Sequence, residues 1–144
     1  MKRILQNTLA VFVGLIIGSV VNMGLVLIGG LLIPNPPGID TADMTNLQEN
    51  IKLLPPQNFV FPFLAHALGT LSGAALTARI TASHPMTFAI LIAFFFLAGG
   101  ISMVIMVGGP LWFIGLDLLV AYIPMGVLAG KLCQRDALET IPDE

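Results

Sequence analysis

The sequence predicts an all-α integral membrane protein, a four-transmembrane-helix bundle with a short external amphipathic helix between the first and second spans. Three observations carry that expectation. Hydrophobic residues fill 56% of the 144 positions and charged residues only 10%, against about 25% charged in ordinary globular domains. The mean hydropathy is +0.94. Four segments are apolar over the roughly 20 residues that a helix needs to cross the hydrocarbon core. Ten prolines and fifteen glycines fit the same class, because membrane helices tolerate both.

The first span covers residues 4–33, "ILQNTLAVFVGLIIGSVVNMGLVLIGGLLI". It follows Met-Lys-Arg as a signal peptide would. Its apolar run, however, far exceeds the roughly 7–15 residues of a signal h-region, and no A-x-A site follows, so it reads as a retained anchor. "PNPPG" (Pro34 to Gly38) ends it, since proline brings no amide and restrains its predecessor.

The loop over 34–58 carries "DMTNLQENIKLL". Met44, Leu47, Ile51 and Leu54 recur there at three-and-four spacing, which predicts a short amphipathic helix. Asp40 or Asp43 is the expected N-cap, and Pro55 and Pro56 the stop. Such a helix would lie over the ends of the spans as a lid, a gate or a docking surface. Asp40, Asp43 and Glu49 are the loop's candidate oxygen ligands.

The second span covers 59–80 and the third 85–107, opened by "SHP" with proline suited to a first helical turn. "GGP" (108–110) turns the chain tightly into the fourth span, 111–130, making these two antiparallel neighbours. Within the fourth, Pro124 removes a backbone hydrogen bond to Val120 and predicts a kink. The polar tail, 131–144, extends that helix.

Lysine and arginine placement gives the orientation. With the N-terminus inside, Lys2, Arg3, Arg79, Lys131 and Arg135 face the cytoplasm and only Lys52 lies outside. Short loops and this topology point to a bacterial inner membrane with both termini cytoplasmic. Arg79 then anchors an inner helix end, His84 caps an inner turn, and Trp112 joins the outer aromatic belt.

Two helix faces are lined by small and polar residues: Asn7, Gly14, Gly18, Asn22 and Gly29 on the first span, and His66, Gly69, Thr70, Gly73 and Thr77 on the second. In lipid there is no hydrophobic drive for helix association, and small residues let backbones approach. The pairs Gly14/Gly18, Gly69/Gly73 and Gly126/Gly130 are the expected packing positions. A face for a homo-oligomer or another membrane protein is the competing use.

Ionisable groups inside a membrane are costly and mark ion or proton paths by default. Counted at about 1.5 Å per residue, Asp117 lies about 10 Å below the outer surface, His66 about 11–12 Å and Asn22 about 18 Å. Three helices thus bring three polar side chains to similar depth. Together with Thr70 they form the predicted intramembrane pocket, opening outward and suited to a proton, an ion or a small solute. The plainer use of the same residues is a hydrogen-bonded clamp that fixes the helices in register. Tyr122, near mid-membrane, needs a hydroxyl partner inside the bundle. Met103 and Met106 are expected to fill gaps in the packing.

The remaining chemistry is sparse. A net charge of −2 provides no basic surface for nucleic acid. The one cysteine, Cys133, allows no internal disulfide or CxxC site. GxSxG, HExxH, Walker and GxGxxG patterns are all absent from the sequence. No catalytic residue, metal set or cofactor is therefore assigned. The alternative to a solute-handling protein is a non-transporting subunit or assembly factor that binds membrane proteins through its glycine-rich faces; the bilayer is the partner common to both.

Overall fold

The computed structural model describes residues 1–41 and 45–139, with side chains as far as Gln134. Asp43 and Met44 lie outside the described residues. Every regular element described is helical: α1 (Lys2–Leu32), α2 (Leu47–Leu53), a 3₁₀ turn (Pro56–Phe59), α3 (Val60–Ile80), α4 (Pro85–Met106), α5 (Leu111–Val120) and α6 (Ile123–Glu139). Four units are long and apolar enough to cross a membrane: Lys2–Leu32, Pro56–Ile80, Pro85–Met106 and Leu111–Gln134. Large apolar side chains such as Leu9, Phe12, Ile16, Val20 and Leu27 are exposed on the perimeter, as helices solvated by acyl chains require.

The four spans do not form a symmetrical square. Helix α3 is central and packs on α1, α4 and α6, while α4 and α6 also pack together; α1 lies along α3 and barely meets α4. Glycine explains this intimacy. A Cβ on Gly73 would come within 2.6 Å of the Gly14 carbonyl oxygen, and one on Gly69 within 2.9 Å of the Gly18 carbonyl oxygen. These backbones touch only because nothing stands between them. Gly126 does the same on α4, where an added Cβ would fall 2.5 Å from that of Ala93, and Gly130 meets Met86. All three predicted glycine pairs are thus engaged within the chain. A partner using those faces would have to compete with these contacts.

Polar bonds pin both ends of the bundle. At the end carrying the termini, Asn7 Oδ1 accepts from Thr81 Oγ1 and from the Ala82 amide, each at 2.8 Å, and Asn7 Nδ2 donates to Ser83 Oγ at 3.1 Å. Gln6 adds a bond to the Ile80 carbonyl at 2.8 Å. The start of α1 is thereby fixed to the turn between α3 and α4. Deeper in, the Thr77 hydroxyl lies 2.9 Å from Gly73 O and 3.2 Å from Ala10 O. His84 is exposed, precedes α4 with φ +52°, and makes no side-chain cap bond; Pro85 opens the helix without one.

At the loop end, α2 begins one turn later than its expected cap. Asn46 holds the N-cap position with no side-chain cap bond. Asp40 instead lends its backbone carbonyl to Asn50 Nδ2 at 2.6 Å. Leu47, Ile51 and Leu54 are half-buried and Glu49 is exposed, so the amphipathic face is as the spacing predicts. Gln48 Nε2 donates to Met106 O at 2.8 Å and Asn58 Nδ2 to Ile33 O at 3.3 Å. The connection therefore runs from the end of α1 to the end of α4 and back to α3. Phe59, Trp112 and Phe113 cluster beside it in edge-to-face and tilted contacts, with ring centroids 4.8–5.8 Å apart.

The fourth span, Leu111–Gln134, is interrupted just before Pro124, where the sequence predicts a kink. Helix α5 stops at Val120 and α6 starts at Ile123. Pro124, in the first turn of α6, has no amide to offer the Val120 carbonyl, and a proline is best tolerated at such a helix start. Met103 and Met106 are exposed at the perimeter, so they do not fill gaps in the core. Both follow from α4 facing lipid at its loop end.

Candidate functional site

The break between α5 and α6 builds the site. Asp117 sits in the last turn of α5, 4% exposed. Its two carboxylate oxygens lie 2.8 and 2.9 Å from His66 Nδ1 on α3. The Tyr122 hydroxyl donates to Asp117 Oδ2 at 3.0 Å. Tyr122 is fully enclosed, and its ring stacks on the His66 imidazole with centroids 5.7 Å apart and planes 29° from parallel. A carboxylate taken out of water is tolerable only when partners satisfy its oxygens. Here an imidazole and a phenol do so.

This arrangement also constrains the histidine. Where the carboxylate is ionised it only accepts hydrogen bonds, and Nδ1 then carries the hydrogen that faces it. The lone pair of the neutral ring then lies on Nε2. No described residue bonds Nε2. The His66 side chain remains 24% exposed, and the exposed part borders a cleft.

That cleft, about 270 Å³, lies between α1 and α4 with α3 as its floor. Ser19 and Asn22 line it from α1, His66 from α3, and Tyr122 closes its back. Phe96 bounds it toward the terminal end, where its ring also presses on Gly18. Met23 and Met103 form the rim, 58% and 52% exposed. The gap therefore faces the side of the bundle, where the sequence predicts a pocket opening at its outer surface. The cause is the packing of α1 against α3, which leaves α1 and α4 apart. The connection through α2 passes over the loop end of this gap.

The predicted site residues fall into three groups. His66 and Asp117 meet directly. Asn22 shares the cleft but forms no hydrogen bond with either; it packs beside Gly69, one turn deeper than His66. Thr70 is completely buried one turn from His66, does not line the cleft, and has an Oγ1 with no hydrogen-bond partner. Asp40 and Glu49 remain on the exposed loop, away from the cleft, and Asp43 lies outside the described residues. Beyond Thr70 toward the terminal end the core is built from Ala74, Ala78, Ala89, Ile92 and Ala129, and the buried polar side chain there, Thr77, is bonded to the Gly73 and Ala10 carbonyls. The polar site thus ends part-way through the bundle.

Tyr122 is the member that sequence reading left unassigned. Its only signal was the rule that a buried hydroxyl seeks a partner. Gly99 is another. Nothing stands within 4 Å of where its Cβ would be, so it leaves the cleft wall open. No family model, curated protein or solved structure matches this chain.

Proposed function

We propose that this chain is a small membrane protein whose intramembrane site binds a hydrogen-bonding solute at His66 and exchanges a proton with it. In this reading it resides in a bacterial inner membrane with both termini cytoplasmic, as its lysine and arginine distribution favours. The single observation that supports the site is the 2.8 Å contact between His66 Nδ1 and the enclosed Asp117 carboxylate. That contact commits one face of the imidazole and leaves Nε2 as the reactive atom at the cleft.

A proton arriving on Nε2 makes an imidazolium already in contact with a carboxylate. The pair then passes from a net charge of −1 to zero, so the low-dielectric surroundings do not penalise the change as they would an isolated charge. Tyr122 holds Asp117 during that change and keeps the ring plane fixed by stacking. With no ionisable side chain buried on the terminal side among the described residues, the reading favours uptake and release on one side of the site over an open conduit for ions.

The test is reconstitution in liposomes containing a pH-sensitive dye. Asp117→Asn should abolish protein-dependent proton exchange while the helical content survives. If the variant exchanges protons at the original rate, or the native protein exchanges none with any solute, the proposal is wrong.

A further inference from the structure

The cleft has three properties that together select a ligand class. No lysine, arginine, aspartate or glutamate lines it, so nothing there would compensate a charged head. Its polar side chains are His66, Asn22, Ser19 and Tyr122, the last with its hydroxyl committed to Asp117, and they suit a neutral group that both donates and accepts. Its rim consists of Met23 and Met103 on the lipid-facing perimeter, beside the bare backbone of Gly99.

Size adds a fourth constraint. About 270 Å³ falls just below the roughly 300–1,000 Å³ of pockets that enclose a whole small molecule. It holds a head of one ring and little more. A separate groove of about 420 Å³ lies between α1 and α4 nearer the terminal end, where Asn7 and Thr8 join Val11, Phe12, Leu91 and Phe95; it shares no lining residue with the cleft. A chain attached to such a head would leave the cleft past Met23 and Met103, whose side chains are exposed on the perimeter.

We infer that the cleft receives, sideways from the bilayer, the uncharged hydroxyl head of a lipid-soluble amphiphile, with the hydroxyl on His66 Nε2 and the apolar tail passing the Met23 and Met103 rim into the surrounding lipid. This rests on the proton-exchanging reading of His66 and names its substrate class. The head donates its hydrogen to the lone pair that the Asp117 contact leaves on Nε2. Asn22, one turn deeper, meets the far side of the head. Entry needs no opening of the loop, because the route lies in the plane of the membrane.

The chain has only two histidines, so protein labelled with ¹⁵N at histidine gives one probe at the cleft and one, His84, on an exposed turn as control. The protein is embedded in lipid nanodiscs and 4-nonylphenol is dissolved in the bilayer. The expected result is a saturable shift of the His66 Nε2 resonance with none at His84. The methyl ether of the same phenol, which has no hydrogen to donate, should produce no shift. Gly99→Leu fills the cleft where no atom now stands and should remove the response; Met103→Trp narrows the rim and should weaken it in the same direction. A silent His66, an equal response to the ether, an undiminished response in both variants, or a response to glycerol in place of the phenol would each overturn the inference. The dye experiment separates the two claims: proton exchange with a silent His66 defeats only the ligand class, whereas loss of both defeats the reading beneath it.

Discussion

His66 Nδ1 sits between the two carboxylate oxygens of Asp117, 2.8 Å from one and 2.9 Å from the other, although 51 positions separate the residues. The contact ties α3 to α5 and gives Asp117 its only ionic partner among the described residues. Breaking a buried pair by deleting one partner typically costs about 3–5 kcal/mol, because the other charge is stranded. His66 is partly exposed, which places Asp117→Ala near the lower figure. Thermal unfolding in detergent of Asp117→Ala, His66→Ala and the double variant should give a coupling of about 1–3 kcal/mol. Strictly additive losses would mean that the two side chains do not stabilise each other.

The Tyr122 hydroxyl is the second support of the same carboxylate. Hydrogen bonds to charged groups contribute about 1.5–3 kcal/mol each. Tyr122→Phe keeps the ring against His66 and deletes only this bond, so a loss of about 1.5 kcal/mol is expected. If its unfolding midpoint in detergent matches that of the native chain, the bond contributes nothing.

The glycine contacts make an internal comparison possible. Gly73 opposes the Gly14 carbonyl so closely that a methyl cannot enter without moving α1, whereas a methyl on Gly24 meets nothing within 4 Å. Overpacking typically costs about 1–3 kcal/mol, and glycine in a helix interior is about 0.5–1 kcal/mol worse than alanine. Gly73→Ala should therefore destabilise and Gly24→Ala stabilise slightly, by unfolding midpoints in one detergent. Equal effects at the two positions would contradict the close α1–α3 approach.

Much of this was legible in the sequence because helices have a constant rise. Counting from the helix ends puts His66 and Asp117 at nearly the same depth and Asn22 deeper, and the structure keeps that order. The glycine faces were legible for the same reason of periodicity. Which helices would be neighbours was not. Nothing in the composition of α1 says that it leans on α3 and leaves α4, yet that choice turns the cleft toward the side of the bundle. Asn7 shows a different limit: its place on a face with Gly14 and Gly18 is periodic, but its partners in the turn at Thr81 to Ser83 depend on loop geometry. Tyr122 shows a third. In an unbroken helix it lies five residues from Asp117, about 140° around the axis at 3.6 residues per turn, and would point elsewhere.

That last point yields a prediction about Pro124. The proline prevents α5 from running into α6 by withholding the amide that Val120 would need, and the resulting turn lets the Tyr122 hydroxyl reach back to Asp117. Pro124→Ala restores the amide, and proline in a helix interior is disfavoured by about 3 kcal/mol against alanine, so the local sequence then prefers one continuous helix. Continuity would swing Tyr122 away from the carboxylate. The two changes should consequently interact: Tyr122→Phe should lose about 1.5 kcal/mol in the native background and little or nothing once Pro124 is alanine. The check is a double-mutant cycle on unfolding midpoints. An undiminished effect of Tyr122→Phe in the alanine background would show that the hydroxyl reaches Asp117 without the break, and the break would then need another cause.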